Sequence, residues 1–372
     1  MRSLGAIPDG QRLERMKASR IWSGGRFQNI TPVLPNLLDQ SGGMPSLGEF
    51  IWGGERRIPS GSLPVMNPLD GWRHAPSSGL RATWLGHSTV FIEIDGSRVL
   101  TDPVWGKRAS PSQVLGPKRF QKAPVPLAAL PEIDIVLISH DHYDHLDYPT
   151  IRELARRGPL FIAPLGVGAH LEAWGVMPER IVELDWWESY TPPRGSLRVT
   201  ATPAQHFSGR SLGGRNTTLW SSFVVESPDH RVFFSGDTGL TTDYELIRAR
   251  FAPFDLIMLE VGAFHPAWGH IHLGPQNAIR AVTMLGGGPL LPIHWGTFNL
   301  ALHAWDEPAE SLLRMAPLSG THLVMPQLGQ PTEPSRDQLV MPWWREVDRG
   351  SRSEVRFVEH PSPPPGIPVP ID

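Results

Sequence analysis

The segment that decides the fold spans Ile133 to His145 and has the sequence Ile-Asp-Ile-Val-Leu-Ile-Ser-His-Asp-His-Tyr-Asp-His. Its first half is a short, mostly apolar run, which is typical of a buried β-strand. Its second half places three imidazoles and two carboxylates within six residues at the end of that strand. Imidazole and carboxylate groups are ligands of zinc and of related divalent ions. The segment therefore predicts a strand whose end carries a metal site.

The spacing of these side chains indicates two ions. A strand directs alternate side chains to the same face, so His140 and His142 can bind one ion. Asp144 and His145 follow where the chain must turn, and they can face a second ion on the other side. A solvated polar loop is the alternative interpretation, but it does not require this order of residues. We therefore predict a two-metal hydrolytic centre.

Three further candidate ligands follow at wide intervals, as a metal site built from strand ends requires. His206 comes after the β-type run Leu197 to Thr202, and Asp237 and His294 also end short apolar runs. Taken alone, each of them is better explained as a hydrogen-bonded structural residue. Taken together with the first segment, they extend a single series of ligands.

In its order and spacing, this series resembles the metallo-β-lactamase fold superfamily. The resemblance implies that one ion is bound by His140, His142 and His206. It implies that the second ion is bound by Asp144, His145 and His294, and that the Asp237 carboxylate bridges both ions.

Longer motifs narrow the resemblance to the N-acylphosphatidylethanolamine-hydrolysing phospholipase D branch of that superfamily. They include Leu100-Thr-Asp-Pro-Val, Gly116-Pro-Lys-Arg-Phe and Ile293-His-Trp-Gly-Thr-Phe. The similarity runs from about Gly25 to about Gly329. The resemblance implies a zinc-dependent phosphodiesterase that cleaves N-acylphosphatidylethanolamine to phosphatidic acid and an N-acylethanolamine.

Two residues are candidates for catalytic roles. Asp144 has a double role in the family, in which it binds the second ion and orients the attacking hydroxide. His272 lies in Gly269-His-Ile-His-Leu-Gly-Pro, before a predicted helix, and resembles a family histidine near the substrate. There it would stabilise the phosphorane or protonate the leaving alkoxide. A surface or supporting histidine is the alternative interpretation of His272.

Other polar residues are expected to support the metal ligands. His87 resembles a family position near the metal cluster, as a supporting residue and not as a ligand. Asp102 and Asp134 are candidate acceptors for the ring N–H groups of ligand imidazoles. The segment from Trp105 to Lys122 carries five basic residues and no acid. Contact with anionic headgroups is one interpretation of this segment, and a solvated loop is the other.

The order of the predicted elements indicates the fold class. From Leu80 onward, short β-type runs alternate with helical patterns, the clearest of which cover 150–157, 243–250 and 275–285. This order suits two packed sheets with helices outside, in an α/β (α+β) protein. The resemblance specifies an αββα sandwich of two mixed β-sheets. We predict an irregular N-terminal arm over residues 1–78, a catalytic domain over 79–332 and a Pro-rich tail over 333–372.

Composition restricts the remaining functional classes. The chain has 372 residues, a net charge of −3 and no cysteine. Disulfides and thiolate ligands are therefore excluded, and the charge does not favour a nuclease or another nucleic-acid partner. No apolar run reaches the roughly 18 residues that suggest a membrane span. We expect a cytoplasmic protein, with peripheral membrane contact as an alternative and a homodimer as a further expectation.

The reaction follows from the predicted ligand set. Two neighbouring divalent ions can hold a shared water as hydroxide at neutral pH. Because a hydroxide also attacks carbonyl carbon, a lactonase or a soluble phosphodiesterase on the same site stays open. A non-enzymatic lipid- or metal-binding protein would not require the complete ligand set. The ligand types favour Zn²⁺ at both positions, although iron and manganese suit similar sites.

Overall fold

Two large β-sheets form the centre of the computed structural model, which describes residues 2–31, 56–193, 195–211, 213–265, 271–336 and 339–348. Along these residues the strands are β1 (Trp22–Ser23), β2 (Arg26–Phe27), β3 (Leu80–Gly86), β4 (Thr89–Ile94), β5 (Ser97–Thr101), β6 (Ile135–Leu137), β7 (Leu160–Pro164), β8 (Ile181–Leu184), β9 (Ser189–Tyr190), β10 (Arg198–Thr202), β11 (Ser222–Glu226), β12 (Arg231–Phe234), β13 (Leu256–Glu260), β14 (Leu290–Ile293) and β15 (Pro331–Thr332). The α-helices are α1 (Gly10–Lys17), α2 (Tyr148–Ala155), α3 (Gly168–Ala173), α4 (Asp243–Phe251), α5 (Gly274–Met284) and α6 (Glu307–Ser319).

The first sheet has seven strands in the order β15-β3-β4-β5-β6-β7-β8. Strands β3 to β5 are antiparallel neighbours, whereas β5 to β8 run parallel to one another. Strand β6 is covered on both faces. Ile135 and Leu137 join the core between the sheets, and Val136 packs with residues of α2 and α3. A strand covered on both faces needs an unbroken apolar sequence, which explains the run before the ligand segment.

The second sheet has six strands in the order β14-β13-β12-β11-β10-β9. Strands β12, β13 and β14 are parallel, so their carboxyl ends lie side by side at one edge. Side chains of α4, α5 and α6, among them Tyr244, Ala278 and Leu312, pack into the core that includes this sheet. Helices α2 and α3 pack with the first sheet. This order of layers confirms the predicted α/β sandwich of two mixed sheets flanked by helices.

Local structure follows the predicted elements with some differences. Helices α2, α4 and α5 lie within two residues of the helical patterns in the sequence, and α1, α3 and α6 are additional. The sequence over 82–94 has β-type composition throughout and, with 98–101, predicts a hairpin; in the structure 82–94 is divided between β3 and β4. The chain reverses at Gly86 and His87, whose φ angles of 112° and 55° are ones that strands do not adopt. This reversal places His87 at the edge of the first sheet.

The N-terminal residues pack against loops next to the strands of the two large sheets. Met16 of α1 and Phe27 of β2 join Leu219 and Trp220 in a separate buried cluster. The division of the chain at residues 78 and 332 stays a prediction, and the part of the tail beyond residue 348 lies outside the described residues. Among the described helices, none combines the length and the apolar character that a membrane crossing needs.

Candidate metal centre

Asp102, directly after β5, holds the ligand loop that follows β6. Its buried carboxylate accepts the backbone N–H of Ser139 at 2.7 Å and the hydroxyl of Ser139 at 2.5 Å. Its Oδ2 also accepts the Nδ1–H of His145 at 2.6 Å, as expected for an acceptor of a ligand imidazole. The same expectation for Asp134 is wrong. Asp134 is exposed, and its carboxylate accepts the backbone N–H of Arg98 because it caps the start of a strand pair.

Four predicted ligands form a first group, in which each residue contributes one ligand atom and these four atoms lie within 4.8 Å of one another. Its members are His140, His142, His206 and Asp237. The Nε2 atoms of His140 and His206 lie 2.8 and 3.3 Å from the Nδ1 of His142. Burial lowers the pKa of His140 and of His206 well below the usual value, so these rings are neutral. Neutral imidazole nitrogens that converge at these distances form a binding site for a divalent cation.

A second group of the same kind contains the other predicted ligands together with His87. Its members are His87, Asp144, His145 and His294. Asp237 lies between the two groups, because its Oδ2 is 3.2 Å from the Nε2 of His145 and 3.1 Å from the Nε2 of His294. The same oxygen is 3.9 Å from the Nε2 of His140 and 3.8 Å from the Nε2 of His206. A carboxylate in this place faces both groups, as the predicted bridging role requires.

Three imidazoles have their outward nitrogen fixed by a hydrogen bond. The Nδ1–H of His140 donates to the hydroxyl of Ser139 at 2.9 Å, and that of His145 donates to Asp102. The Nδ1–H of His206 donates to the carbonyl of Ile271 at 2.9 Å. A proton on Nδ1 leaves the Nε2 lone pair directed inward, which is how proteins orient an imidazole toward a metal ion.

Polar atoms inside the site lack partners within the described part of the chain. They include the Nε2 of His145, both ring nitrogens of His294, the Nδ1 of His87 and the Oδ1 of Asp237; all are buried and none makes a hydrogen bond of acceptable geometry, despite the short distances to Asp237 Oδ2. Burial opposes a charge on His294, but the Asp237 and Asp144 carboxylates together outweigh it and raise the pKa of His294 to about 10. Buried polar atoms normally have partners, and a metal ion displaces protons from such nitrogens. The donor set of the two groups therefore fits two divalent ions.

His87 contacts the second group from the reversal between β3 and β4. Its Nε2–H donates to Oδ2 of Asp144 at 2.9 Å. Burial, together with the charge of His294, lowers the pKa of His87 to about 3, so its ring is neutral. The backbone N–H of His87 donates to the hydroxyl of Thr297 at 2.6 Å, which stabilises the left-handed backbone at this residue. His87 therefore orients Asp144, in agreement with the supporting role expected for it.

His206 follows β10 and is held by an N-terminal side chain. The amide Nδ2–H of Asn29 donates to the carbonyl of His206 at 2.7 Å, and its Oδ1 accepts the N–H of His206 at 3.1 Å. We call this pair of hydrogen bonds the Asn29 clasp. The Nε1–H of Trp220 also donates to the Oδ1 of Asn29, at 3.2 Å. Asn29 is not among the predicted site residues, because no local pattern points to a partner 177 residues away.

Asp237 reaches the ligand loop through a close approach of the two sheets. The preceding residue, Gly236, has a φ of 55°, and a Cβ built there would lie 2.4 Å from the Cβ of Ser139. Because glycine has no Cβ, the end of β12 can contact the end of β6. The contact brings a carboxylate of the second sheet to the histidines of the first.

His272 lies beside the two groups, just before α5. One of its ring nitrogens is within 4.8 Å of ligand atoms of Asp237 and His294. Its Nδ1–H donates to Oε1 of Glu260 at 3.2 Å. Glu260 ends β13 and is fully buried. It is not among the predicted site residues, because in the sequence it only closes an apolar run.

Comparisons with known proteins agree with this geometry. Residues 97–295, more than half of the chain, match the family described as Beta-lactamase superfamily domain. An uncharacterized protein of Mycobacterium tuberculosis is 47% identical over 326 residues, which cover 86% of each chain. The N-acyl-phosphatidylethanolamine-hydrolyzing phospholipase D 1 of Caenorhabditis elegans is 31% identical over 347 residues, or 88% of this chain and 94% of that relative.

A solved structure shares the fold. The isothiocyanate hydrolase from Delia radicum gut bacteria matches 69% of this chain and 100% of its own, with a TM-score of 0.56 and 21% identity. The family match contains all predicted ligands from His140 to His294. The chain therefore belongs to the metallo-β-lactamase superfamily of metal-dependent hydrolases, in the branch of N-acylphosphatidylethanolamine-hydrolysing phospholipase D-like proteins.

Proposed function

We propose that this metal-dependent hydrolase is a binuclear zinc phosphodiesterase of phospholipase D type. Its substrate would be N-acylphosphatidylethanolamine, and its products phosphatidic acid and an N-acylethanolamine. The observation that carries the proposal is the similarity to the Caenorhabditis elegans phospholipase, which extends over 94% of that relative. The two groups of ligand atoms that share Asp237 support a binuclear centre.

The proposal gives the site residues separate roles. The first ion would be bound by His140, His142 and His206. The second would be bound by Asp144, His145 and His294, and Asp237 would contact both. When bound, the ions supply an activated water and stabilise negative charge at the attacked centre.

Asp144 is the carboxylate that an incoming water can reach. Its side chain is 15% exposed, compared with 2% for that of Asp237. The hydrogen bond from the neutral ring of His87 fixes its Oδ2 without neutralising its charge. We therefore assign to Asp144 the orientation of the attacking water, in addition to binding the second ion.

His272 completes the reaction in this proposal. The oxygen of the water attacks phosphorus, and the bond between phosphorus and the oxygen of the N-acylethanolamine breaks. The leaving alkoxide would take its proton from the Nε2 of a His272 ring that carries hydrogen on both nitrogens, since the Nδ1–H is engaged by Glu260. The attacking water would give one proton to Asp144, from which it returns to His272 after product release. The water oxygen ends in phosphatidic acid, and the proton from His272 ends on the hydroxyl of the N-acylethanolamine.

A surface loop near the site supports contact with an anionic lipid surface. Residues 103–131 contain five basic residues and no acid. Arg119 is buried and donates to backbone carbonyls, whereas the other four are exposed or partly exposed. Val114 and Leu115, within this segment, are 76% and 72% exposed. The segment is joined to the site, because the N–H of Phe120 donates to the carbonyl of Thr297 at 2.8 Å. Exposed aliphatic side chains in the same segment as basic residues suit a bilayer with anionic headgroups. A cytoplasmic location and a homodimer stay predictions.

Vesicle sedimentation tests the lipid contact. We expect the double substitution Val114→Asp and Leu115→Asp to abolish sedimentation with vesicles of phosphatidylcholine and phosphatidylglycerol. Leu318→Asp is the control, since Leu318 is 89% exposed on the last helix but outside this loop. Equal sedimentation of the two variants would show that the loop does not contact the bilayer.

Detection of N-acylethanolamine by mass spectrometry tests the reaction. Zinc-loaded protein is incubated with N-acylphosphatidylethanolamine in mixed micelles, beside the variants Asp237→Asn and Asp243→Asn. Asp243 is a suitable control because it is also a buried carboxylate, but it lies at the start of α4, where it accepts a hydrogen bond from the hydroxyl of Thr241. We expect product from the wild type and from Asp243→Asn only. No product from zinc-loaded wild type would refute the substrate and direct the search to lactones and soluble phosphodiesters.

A further inference from the structure

Glu260 is an acidic residue in a fully buried position at the carboxyl end of β13. It pairs with Ile293 of the neighbouring strand, so it lies next to the strand end that carries His294. Its backbone N–H donates to the hydroxyl of Ser235 at 3.1 Å. Its Oε1 accepts the N–H of Leu273 at 2.7 Å. Its Oε2 has no hydrogen-bond partner within the described residues.

A buried carboxylate is costly unless a hydrogen-bond donor or a positive charge faces it. A backbone N–H such as that of Leu273 can be satisfied by a neutral side chain, so this contact alone does not require an acid. The other donor at Glu260 is the Nδ1–H of His272, 3.2 Å from the same oxygen. The carboxylate is therefore explained by the imidazole and not by the start of the helix.

The contact with Glu260 determines how the ring of His272 is presented. A carboxylate that faces Nδ1 accepts its proton in a hydrogen bond, so Nδ1 carries the hydrogen and Nε2 is directed elsewhere. The ring stacks on that of His294, with centroids 5.5 Å apart and planes 29° apart. It also meets the ring of His206 at 5.1 Å. His272 is thus fixed between one ligand from each group, with Nε2 available on the side away from Glu260.

We infer that Glu260 is a positioning residue, which fixes the ring of His272 so that Nε2 faces the substrate at the metal centre. This inference rests on the proposed function, in which His272 donates a proton to the leaving alkoxide. It assigns to Glu260 no contact with substrate or metal. Its effect on turnover passes through His272 alone.

A double-mutant cycle on turnover tests this dependence. The variants are Glu260→Met, which removes the acceptor, His272→Ala, and the double variant, all assayed with N-acylphosphatidylethanolamine. We expect each single variant to lower kcat by about 100-fold, the lower end of general acid catalysis, with KM changed less than twofold. We expect the double variant to fall no further than His272→Ala. Glu260→Gln keeps an acceptor oxygen and should recover at least about tenfold over Glu260→Met, because that oxygen can still fix Nδ1–H.

Glu226→Met is the matched control. Glu226 is a carboxylate of the same sheet, but it pairs with Arg231 at the opposite end of its strand pair. We expect its turnover to stay within twofold of wild type. If the fold decrease of kcat in the double variant equals the product of the two single decreases, Glu260 acts independently of His272. This result would overturn the inference.

A spectroscopic measurement on the wild type decides the inference when the Glu260 variants lack activity or do not fold. Nitrogen-15 NMR of the histidine rings, with the His272 signals identified from their loss in His272→Ala, reports which ring nitrogen carries hydrogen. Hydrogen on Nδ1 supports the inference, and hydrogen on Nε2 with a bare Nδ1 overturns it. Absence of turnover by the wild type would refute the proposed substrate without changing this readout, so the two failures are distinguishable.

Discussion

Truncation of Asn29 tests whether the N-terminal residues hold the metal centre. In Asn29→Ala both hydrogen bonds of the Asn29 clasp are lost, and the backbone N–H and carbonyl of His206 lose a partner. The indole of Trp220 keeps its second acceptor, the carbonyl of Ala204 at 2.8 Å. Only two of the three hydrogen bonds made by the Asn29 side chain therefore count toward the expected loss of stability.

The expected loss of stability follows from these two bonds. Each neutral hydrogen bond contributes about 1 kcal/mol, and Asn29 is only partly buried, so water can replace part of the contact. We expect the free energy of unfolding to fall by about 1–2 kcal/mol. Because His206 is a proposed ligand, its looser backbone should also weaken zinc binding by about 10-fold or more, the lower end of the effect of removing groups that orient a metal ligand.

Urea unfolding and competition with a colorimetric zinc chelator measure the two effects. Gln28→Ala is the control, since Gln28 is exposed and its side chain donates only at 3.3 and 3.5 Å to two nearby carbonyls. The control should stay within about 0.5 kcal/mol of the wild type. Equal stability and equal zinc affinity of the two variants would refute the role of the clasp.

Further expectations concern the carboxylate and glycine that support the ligands, and the ions themselves. Asp102→Asn should weaken binding of the second ion by about 10–100-fold, because His145 loses its charged acceptor. Metal analysis after dialysis should find one ion per chain, and two retained ions would contradict this expectation. Gly236→Ala should lower the free energy of unfolding more than Gly287→Ala. Both glycines have positive φ, but only a Cβ at position 236 would lie against Ser139. Equal decreases of the free energy of unfolding in urea would show that the close contact between Gly236 and Ser139 is not required. Removal of metal with a chelator should lower Tm, and zinc should restore it, as scanning calorimetry can measure.

The parts of the fold with local signals could be predicted from the sequence. The apolar run over 256–260 is strand β13 with the same bounds, and the run at Ile133 to Ile138 contains β6. Such strands are buried on both faces, so their composition alone distinguishes them. The seven predicted ligands lie in two adjoining groups, although their assignment to particular ions came from the resemblance and stays a prediction.

Other features depend on contacts between distant parts of the chain, which no local pattern contains. The role of Asn29 arises from a partner 177 residues away. Glu260 has the sequence context of an ordinary strand end, and its burial depends on the loop before α5. Asp134, the other candidate acceptor, directly precedes β6 and so lies at the opposite end of that strand from the ligand loop.

The dispersal of the ligands along the chain has a consequence for biosynthesis. His140 and His294 are separated by 154 residues (294 − 140). At about 5–20 residues per second, a ribosome needs roughly 8–30 s to extend the nascent chain from one to the other. During that interval the loop after β6 can offer its histidines and Asp144 to an ion, but β14 does not yet exist. The second sheet therefore has to form before the proposed centre can close, and we expect stable loading with two ions to be a late event in the maturation of each molecule.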